Sequence, residues 1–292
     1  MFFGTDLAVE RQRITGDLPG LRRSEYTVGD AAVSEIEILD AETAEIIGKP
    51  IGHYTTVTVP SMQVSKHIFD GRVRAVADCL SKLLPPTGTV LVAGLGNIGI
   101  TSDAFGPLMT RKIFATNHIP DSDARAMGFG DLRRVSVISP DVAGNTGMEA
   151  SDIIRSICTD LNPAAVIAAD ALAAGDLSRV GCTFQLTDTG ISPGSGVHNA
   201  RKRLDKETLG VPVIAIGVPT VINAVRAAEC IFGRKLDSAE SGVVSSDYAD
   251  TVVTVREADT MVGRAAALAA AAVNAALQPA LTAEELAELT AE

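Results

Sequence analysis

Five apolar runs of strand length recur between residues 89 and 217, and they constrain the fold more than any other feature of the chain. They read TVLVAG (89–94), RVSVIS (134–139), AAVIAAD (164–170), CTFQLTD (182–188) and PVIAIG (212–217), with segments of helical character between several of them. A strand that alternates apolar and polar residues keeps one wet face, whereas a strand that is apolar throughout must be covered on both. Such strands alternating with helices predict an α/β fold, a three-layer sandwich around a mostly parallel central sheet of the phosphorylase/hydrolase-like kind. At 292 residues the chain is long enough to bury that core.

Ahead of the core, VSEIEIL (33–39) and HYTTVTV (53–59) alternate in strand fashion around a Gly48-Lys49-Pro50 turn signal, predicting a small β-rich subdomain over 1–60. From Gln63 to Leu84, Phe69, Val73, Val76, Leu80 and Leu83 recur at steps of three and four and predict an amphipathic helix that Pro85-Pro86 ends. Further helices are expected around 104–116 and after Asn145, where Thr146-Gly147-Met148-Glu149 has the form of a capping box. Another is expected to start at Pro219, which suits a first helical turn once the preceding strand has ended in Gly217. The last run from Glu257 to Leu277, followed by a short acidic tail helix. The α/β core thus occupies 61–232, a Gly-, Ser- and Asp-rich connector 233–252 and C-terminal helices 253–292, within one domain.

A formal net charge of −11 argues against direct nucleic-acid binding. Cys79, Cys158, Cys182 and Cys230 lie far apart with no C-x-x-C pair, so buried reduced thiols are expected rather than a zinc or redox motif. Asp6, Glu10 and Arg11 interrupt the N-terminal segment and leave no signal-peptide core. The apolar run from Ala265 to Leu277 is too short to span a bilayer. A cytoplasmic protein without membrane partners is the expectation.

Residues 91–107 read LVAGLGNIGITSDAFGP, and Gly94, Gly96 and Gly99 spell G-x-G-x-x-G directly after an apolar run, the form of a dinucleotide-binding turn. Such a site needs its helix to begin inside the glycine turn and an acidic residue to close the next strand about 20 residues on. Here the helix is predicted to begin near Asp103, because Pro107 belongs in a first turn, and the next strand closes only at Asp141. A carboxylate at the mouth of the turn would also repel a pyrophosphate. The glycines therefore read as a sharp exit from a strand that delivers Asp103 to the crevice at the carboxyl end of the sheet. Asp170 closes AAVIAAD, and a charge ending an apolar strand must face water or a partner. If the two strands are neighbours, the two carboxylates share a proton, one acting as base toward a water and the other as acid. Taken singly, Asp103 is equally well a helix cap and Asp170 a solvated strand end.

TDLAVE (5–10), GLGNIGITSDAFGP (94–107), TGMEASDII (146–154), VIAADALAA (166–174), TDTGISPGSGVHNARK (187–202) and GVPVIAIGVPTVINA (210–224) follow in the order and approximate spacing of the spore germination protease family, which this chain resembles. TVREADTMVGRAAALAAAAVNAAL (254–277) is similar to that family's closing segment. The resemblance implies an endopeptidase that starts degradation of small acid-soluble spore proteins at germination, in the cytoplasm of the spore core. It implies an atypical aspartic mechanism with Asp103 and Asp170 as the catalytic pair, no cofactor, a homotetrameric assembly, and a core similar to that of the hydrogenase maturation proteases. Gly94, Gly96 and Asn97 are expected to support the site. The glycine-rich loop 189–196, with Gly194 and Gly196, is expected to line the cleft and offer N–H groups to an extended peptide or an oxyanion.

The chain departs from the family at three places. Family members carry a propeptide ahead of the T-D-L-A-V-E block, whereas Met1 to Gly4 precede it here, so self-processing is not expected. The stretch before the last helices is shorter than in relatives. His198 stands where glycine is commoner, and with Asp103 and Asp170 it makes a plausible metal-binding set, so a metal-assisted, maturation-type peptidase is the alternative. A peptide-binding homologue without turnover is a further one. Ser192 and Ser195 lack the strand-to-helix elbow of a serine nucleophile. Arg201, Lys202 and Arg203 form a basic cluster suited either to an acidic substrate or to a solvated helix start.

Overall fold

A computed structural model of the chain describes residues 5–59, 70–194, 201–235 and 251–290. Among these residues the strands are β1 (Leu21–Val28), β2 (Ala31–Ile38), β3 (Gly52–Thr58), β4 (Val90–Gly94), β5 (Val135–Ile138), β6 (Ala165–Ala174), β7 (Thr183–Thr187), β8 (Val213–Asn223) and β9 (Val252–Val253). The helices are α1 (Ala8–Thr15), α2 (Ala41–Ile47), α3 (Gly71–Leu83), α4 (Phe105–Thr110), α5 (Asp121–Ala126), α6 (Ala143–Thr146), α7 (Ala150–Leu161), α8 (Lys206–Leu209), α9 (Ala224–Phe232), α10 (Ala258–Leu277) and α11 (Ala283–Leu289). The strands form one sheet in the order β1-β2-β3-β7-β8-β6-β4-β5, with β9 beside β8. Within it β8, β6, β4 and β5 are parallel, while β1, β2, β3 and β7 pair antiparallel. The N-terminal strands thus belong to the same sheet as the core, joined to it through β3 and β7.

The apolar runs are buried on both faces, as their composition requires. Val90, Val92, Ile167, Ile214, Ile216 and Phe184 pack with α3, α4 and α10 on one side. Their neighbours Leu91, Ala93, Val166, Ala168 and Val213 pack with Ile154 and Cys158 of α7 on the other. Leu7 and Val9 of the N-terminal segment cover Ile36, Ile38 and Tyr54 at the antiparallel end. The result is the expected α/β sandwich of helix, sheet and helix layers.

The structure departs from the sequence reading at four places. The turn expected at Gly48-Lys49-Pro50 forms, but a helix not expected from the sequence precedes it: Asp40 accepts the Thr43 N–H to start α2, and Gly48 closes it with φ 70°. Helix α3 begins only after Asp70, whose carboxylate accepts the Arg72 N–H, and the rest of the span expected from Gln63 lies outside the described residues. Thr146 ends α6, Gly147 turns with φ 72°, and α7 starts at Ala150 without a side-chain cap, so the expected capping box does not form. Asp205 with Thr208 and Thr282 with Glu285 make that motif instead.

The fourth concerns Pro219, which lies inside β8 instead of opening a helix. The sheet admits it because pairing with β7 has ended at Gly217 and the ladder to β6 is broken by a bulge at the same level. Helix α9 starts after Asn223, whose Oδ1 accepts the N–H groups of Val225 at 2.9 Å and Arg226 at 3.4 Å. Asn223→Ala is expected to lower stability by about 1 kcal/mol in chemical denaturation, the usual cost of losing such a cap.

Helix α10 has 20 residues, and its most apolar 18 have a mean hydropathy of 1.4, long and apolar enough by itself to cross a bilayer, unlike its shorter alanine run. Two thirds of that 18-residue stretch is buried in this fold, with Val262, Ala269 and Val273 in the main core, so its apolar length is used as a core helix. Of the four free cysteines, Cys79 and Cys158 are buried as expected, but Cys182 is half-buried and Cys230 exposed.

Candidate active site

Strands β4 and β6 are parallel neighbours in register from Val90 and Ala165 to Gly94 and Ala169, so the chains leaving their carboxyl ends meet over one edge of the sheet. The exit from β4 is held by the Leu95 N–H donating to the Ala169 carbonyl at 2.8 Å. The turn then folds back on the short 3₁₀ turn Thr101–Asp103. Gly96 makes this possible: it sits at φ 110°, and a Cβ there would lie 2.0 Å from the Asp103 carbonyl oxygen. Gly94 and Gly106 touch backbone to backbone, since a Cβ on Gly94 would come within 2.3 Å of the Gly106 carbonyl oxygen. Gly94 and Gly96 of the fingerprint therefore seat α4 and the Asp103 turn against the sheet, where a nucleotide site would have used them for phosphate.

Asp103 is half-buried, and its Oδ2 accepts the Asn97 N–H at 2.8 Å. Burial raises its pKa, the Asn97 N–H opposes that, and the charge of Asp141 adds to it. Asp170 lies within β6, which continues to Ala174, but it stands one residue beyond the last β4 partner and so opens onto the same edge. It is 4% exposed. Burial raises its pKa well above the usual carboxylate range, and the charges of Asp103 and Asp6 raise it further. One N–H, that of Ala171 at 3.0 Å, donates to it.

Two more aspartates reach this cavity. Asp141 follows β5 in the left-handed region at φ 64°, uncommon for a residue other than glycine, with its Oδ1 accepting the Val142 N–H at 2.7 Å. Asp6 is buried, and its Oδ2 accepts the Ala173 N–H at 2.9 Å while its own N–H donates to the Ala173 carbonyl at 2.9 Å. The N-terminal TDLAVE segment is thereby stitched to the end of β6. Buried Glu10 strengthens this, accepting from Thr5 and from the Gly175 N–H and pairing with Arg179.

Asp6, Asp103, Asp141 and Asp170 line one cavity of about 290 Å³, whose wall also includes Gly96, Gly194, Arg201 and Lys202. A second cavity of about 170 Å³ adjoins it, sharing Asp6, Asp170 and Gly194 and adding Lys49, Ser192 and Arg203. Burial pushes the Lys49 ammonium down to about 8, with Asp6 acting against the fall and Arg11 and Arg203 adding to it. Arg203 is held by Asp205 at 2.6 Å and donates to the Thr189 carbonyl at 2.6 Å. At the other wall Arg201 and Lys202 pair with Glu149 and Asp152.

Of the site residues expected from sequence, Asp103, Asp170, Gly96 and Gly194 line the larger cavity, while Gly94 and Asn97 lie behind Asp103 and shape it. Gly196 and His198 fall outside the described residues, and with them the third ligand of the alternative metal set. Among the described residues no group of three or more His, Cys, Asp and Glu side chains is arranged to hold a metal ion. Sequence reasoning missed Asp6, Asp141 and Lys49 as members of the site. A signal existed for Asp141, which follows the apolar run of a strand neighbouring β4; none marked Asp6 or Lys49, which are recruited from the distant N-terminal region.

A buried carboxyl whose pKa is pushed up by burial, beside a more open carboxylate held by an N–H, is a set of groups suited to paired acid and base work. A family model described as germination protease matches residues 4–232. The chain is 35% identical over 316 residues to the germination protease of Caldanaerobacter subterraneus subsp. tengcongensis, a match covering 98% of this chain and 97% of that one. It is 41% identical over 238 residues to the germination protease of Bacillus velezensis, covering 77% of this chain and 64% of the relative. Among solved structures, a NiFe hydrogenase maturation protease from Thermococcus kodakarensis is similar over 67% of this chain and 98% of its own, at a TM-score of 0.37 and 17% identity.

Proposed function

The chain belongs to the germination protease family, and on that premise we propose that it is a spore germination endopeptidase in which Asp103 and Asp170 activate a water against a peptide carbonyl. The observation that carries this reading is the unequal burial of two carboxyls at one cavity: Asp170 is 4% exposed, and burial pushes its pKa well up, while Asp103 is more open and held by the Asn97 N–H. Asp103 removes a proton from the water as its oxygen bonds to the carbonyl carbon. Asp170 gives its proton to the carbonyl oxygen; when the tetrahedral intermediate collapses and the C–N bond breaks, Asp103 gives the proton it took to the leaving nitrogen and Asp170 recovers one from the intermediate's hydroxyl. The cycle leaves the two carboxyls sharing one proton again.

The substrates are small acid-soluble spore proteins, met in the spore core by a homotetramer of this chain. Lys49 and Arg203 in the adjoining cavity support an acidic side chain next to the scissile bond, since a carboxylate there gains charge-assisted hydrogen bonds in a largely desolvated space. The direct test is incubation of the purified chain with a small acid-soluble spore protein, which should yield discrete fragments. An intact substrate after prolonged incubation would leave a peptide-binding homologue instead. Lys49→Met should lower kcat/KM on that substrate roughly 10- to 100-fold, the equivalent of one hydrogen bond to a charged group. Unchanged kcat/KM would remove Lys49 from substrate recognition.

A further inference from the structure

Strand β8 pairs with β6 through Leu172 and Pro219 and then through Ala173 and Val221, so Thr220 is an extra residue on β8, the bulge itself. Bulges beside active sites re-aim a side chain that a regular ladder would point elsewhere. Thr220 has 0% exposure, and its Oγ1 donates to the Ser102 carbonyl at 2.6 Å. Ser102 is the residue before Asp103 in the 3₁₀ turn Thr101–Asp103. The other side of that turn is tied down as well: Thr101 Oγ1 donates to Asp259 Oδ1, in the first turn of α10, at 2.6 Å. Thr220 is in turn fixed by its own carbonyl, which accepts from Thr254 Oγ1 at 2.6 Å. The short turn that presents Asp103 is therefore clamped from β8 and from α10.

We propose that Thr220 is a positioning residue for the reaction: through its hydrogen bond to the Ser102 carbonyl, the β8 bulge sets the height and orientation of the Asp103 carboxylate in the cavity. The proposal rests on the aspartate-pair reading. A catalytic carboxylate must be held to a fraction of an ångström, and a shift of about 1 Å can cost about a hundredfold in rate. Pro219 and Thr220 together carry the device. The proline fits a strand interior where the ladder is interrupted, and the threonine uses the interruption to reach the turn.

Thr220→Val keeps the shape and removes the donor, and Thr220→Ser keeps the donor and removes the methyl. For Thr220→Val, kcat on a small acid-soluble spore protein is expected to fall roughly 10- to 100-fold with KM within about threefold of the parent. Thr220→Ser should restore kcat to within about threefold. If Thr220→Val does not fold, Thr220→Ala, which cannot clash, should show the same loss of kcat. A purely structural threonine would lower the melting temperature without this split between kcat and KM, and that result, or a failure of serine to rescue, overturns the proposal. Asp103→Asn run in parallel separates the two ideas: if it stays active, the aspartate pair is wrong. If it is inactive while Thr220→Val cleaves at the parental rate, only the positioning role falls.

Discussion

Replacing Asp170 with asparagine is expected to reduce peptide cleavage by about a thousandfold or more while leaving the chain folded and, at neutral pH, more stable than its parent. The loss of activity follows from the chemistry. Asparagine matches the carboxyl in shape and can still accept the Ala171 N–H, but it cannot release a proton to the carbonyl oxygen. Asp103→Asn should cost about as much by removing the base, and the double variant little more than either alone, because residues that act as one unit do not lose activity additively. Cleavage by either single variant at the parental rate would remove the mechanism.

The gain in stability follows from linkage. The folded state raises the Asp170 pKa, so between the unfolded and folded values the folded chain binds the extra proton, and stability falls as pH rises through that window. The stabilising contribution of Asp170 is complete only below its unfolded value, about 4, and is lost toward neutral pH. Asparagine does not titrate and escapes that loss. Melting temperatures measured at pH 7 and near pH 4 should therefore show the variant ahead at pH 7 and the difference closing in acid. A variant less stable than the parent at pH 7 would contradict the account of Asp170 as a destabilising buried acid.

Gly106→Ala is expected to destabilise the fold by about 3 kcal/mol or more, at the upper end of what overpacking usually costs. A Cβ at this position would lie 2.3 Å from the Leu95 carbonyl oxygen, 2.5 Å from the Leu95 nitrogen and 2.6 Å from the Ala169 carbonyl oxygen. All three atoms are main chain at the exits of β4 and β6, where Leu95 and Ala169 are hydrogen-bonded to each other at 2.8 Å. No side chain is available to swing aside. Either α4 lifts off the sheet, carrying Asp103 with it, or the two central strands separate. Gly99→Ala is the internal control: its Cβ would meet only Asn97 Oδ1, at 3.2 Å, and it should change stability by less than about 1 kcal/mol. Equal melting temperatures for the two variants would sink the close-packing account of how α4 seats on the sheet.

The contrast between those glycines shows how far a motif can be read without its context. G-x-G-x-x-G marks a tight exit from a strand in any fold, and the position of Asp103 behind it was enough to turn attention from phosphate to a carboxylate. Pro219 shows the opposite limit. Its preference for a first helical turn is a local rule, whereas the bulge that keeps it in β8 is a property of register between two strands far apart in sequence. Thr146 failed for a similar reason: the spacing of a capping box was present, but Gly147 turned the chain before the helix began.

The sequence by itself determined the doubly covered sheet, because unbroken apolar runs leave no other way to exclude water from both faces, and it marked Asp103 and Asp170 as charges at the exits of those runs. Only the tertiary structure decided that Asp6, Asp141 and Lys49 join them, that Asp170 is the deeper acid, and that Thr220 reaches the Asp103 turn. Patterning along a chain is set by short-range periodicity, whereas proton affinity depends on how many charges stand within a few ångströms and how little water remains among them. Those distances come into being when β4, β6, β8 and the N-terminal segment pack together.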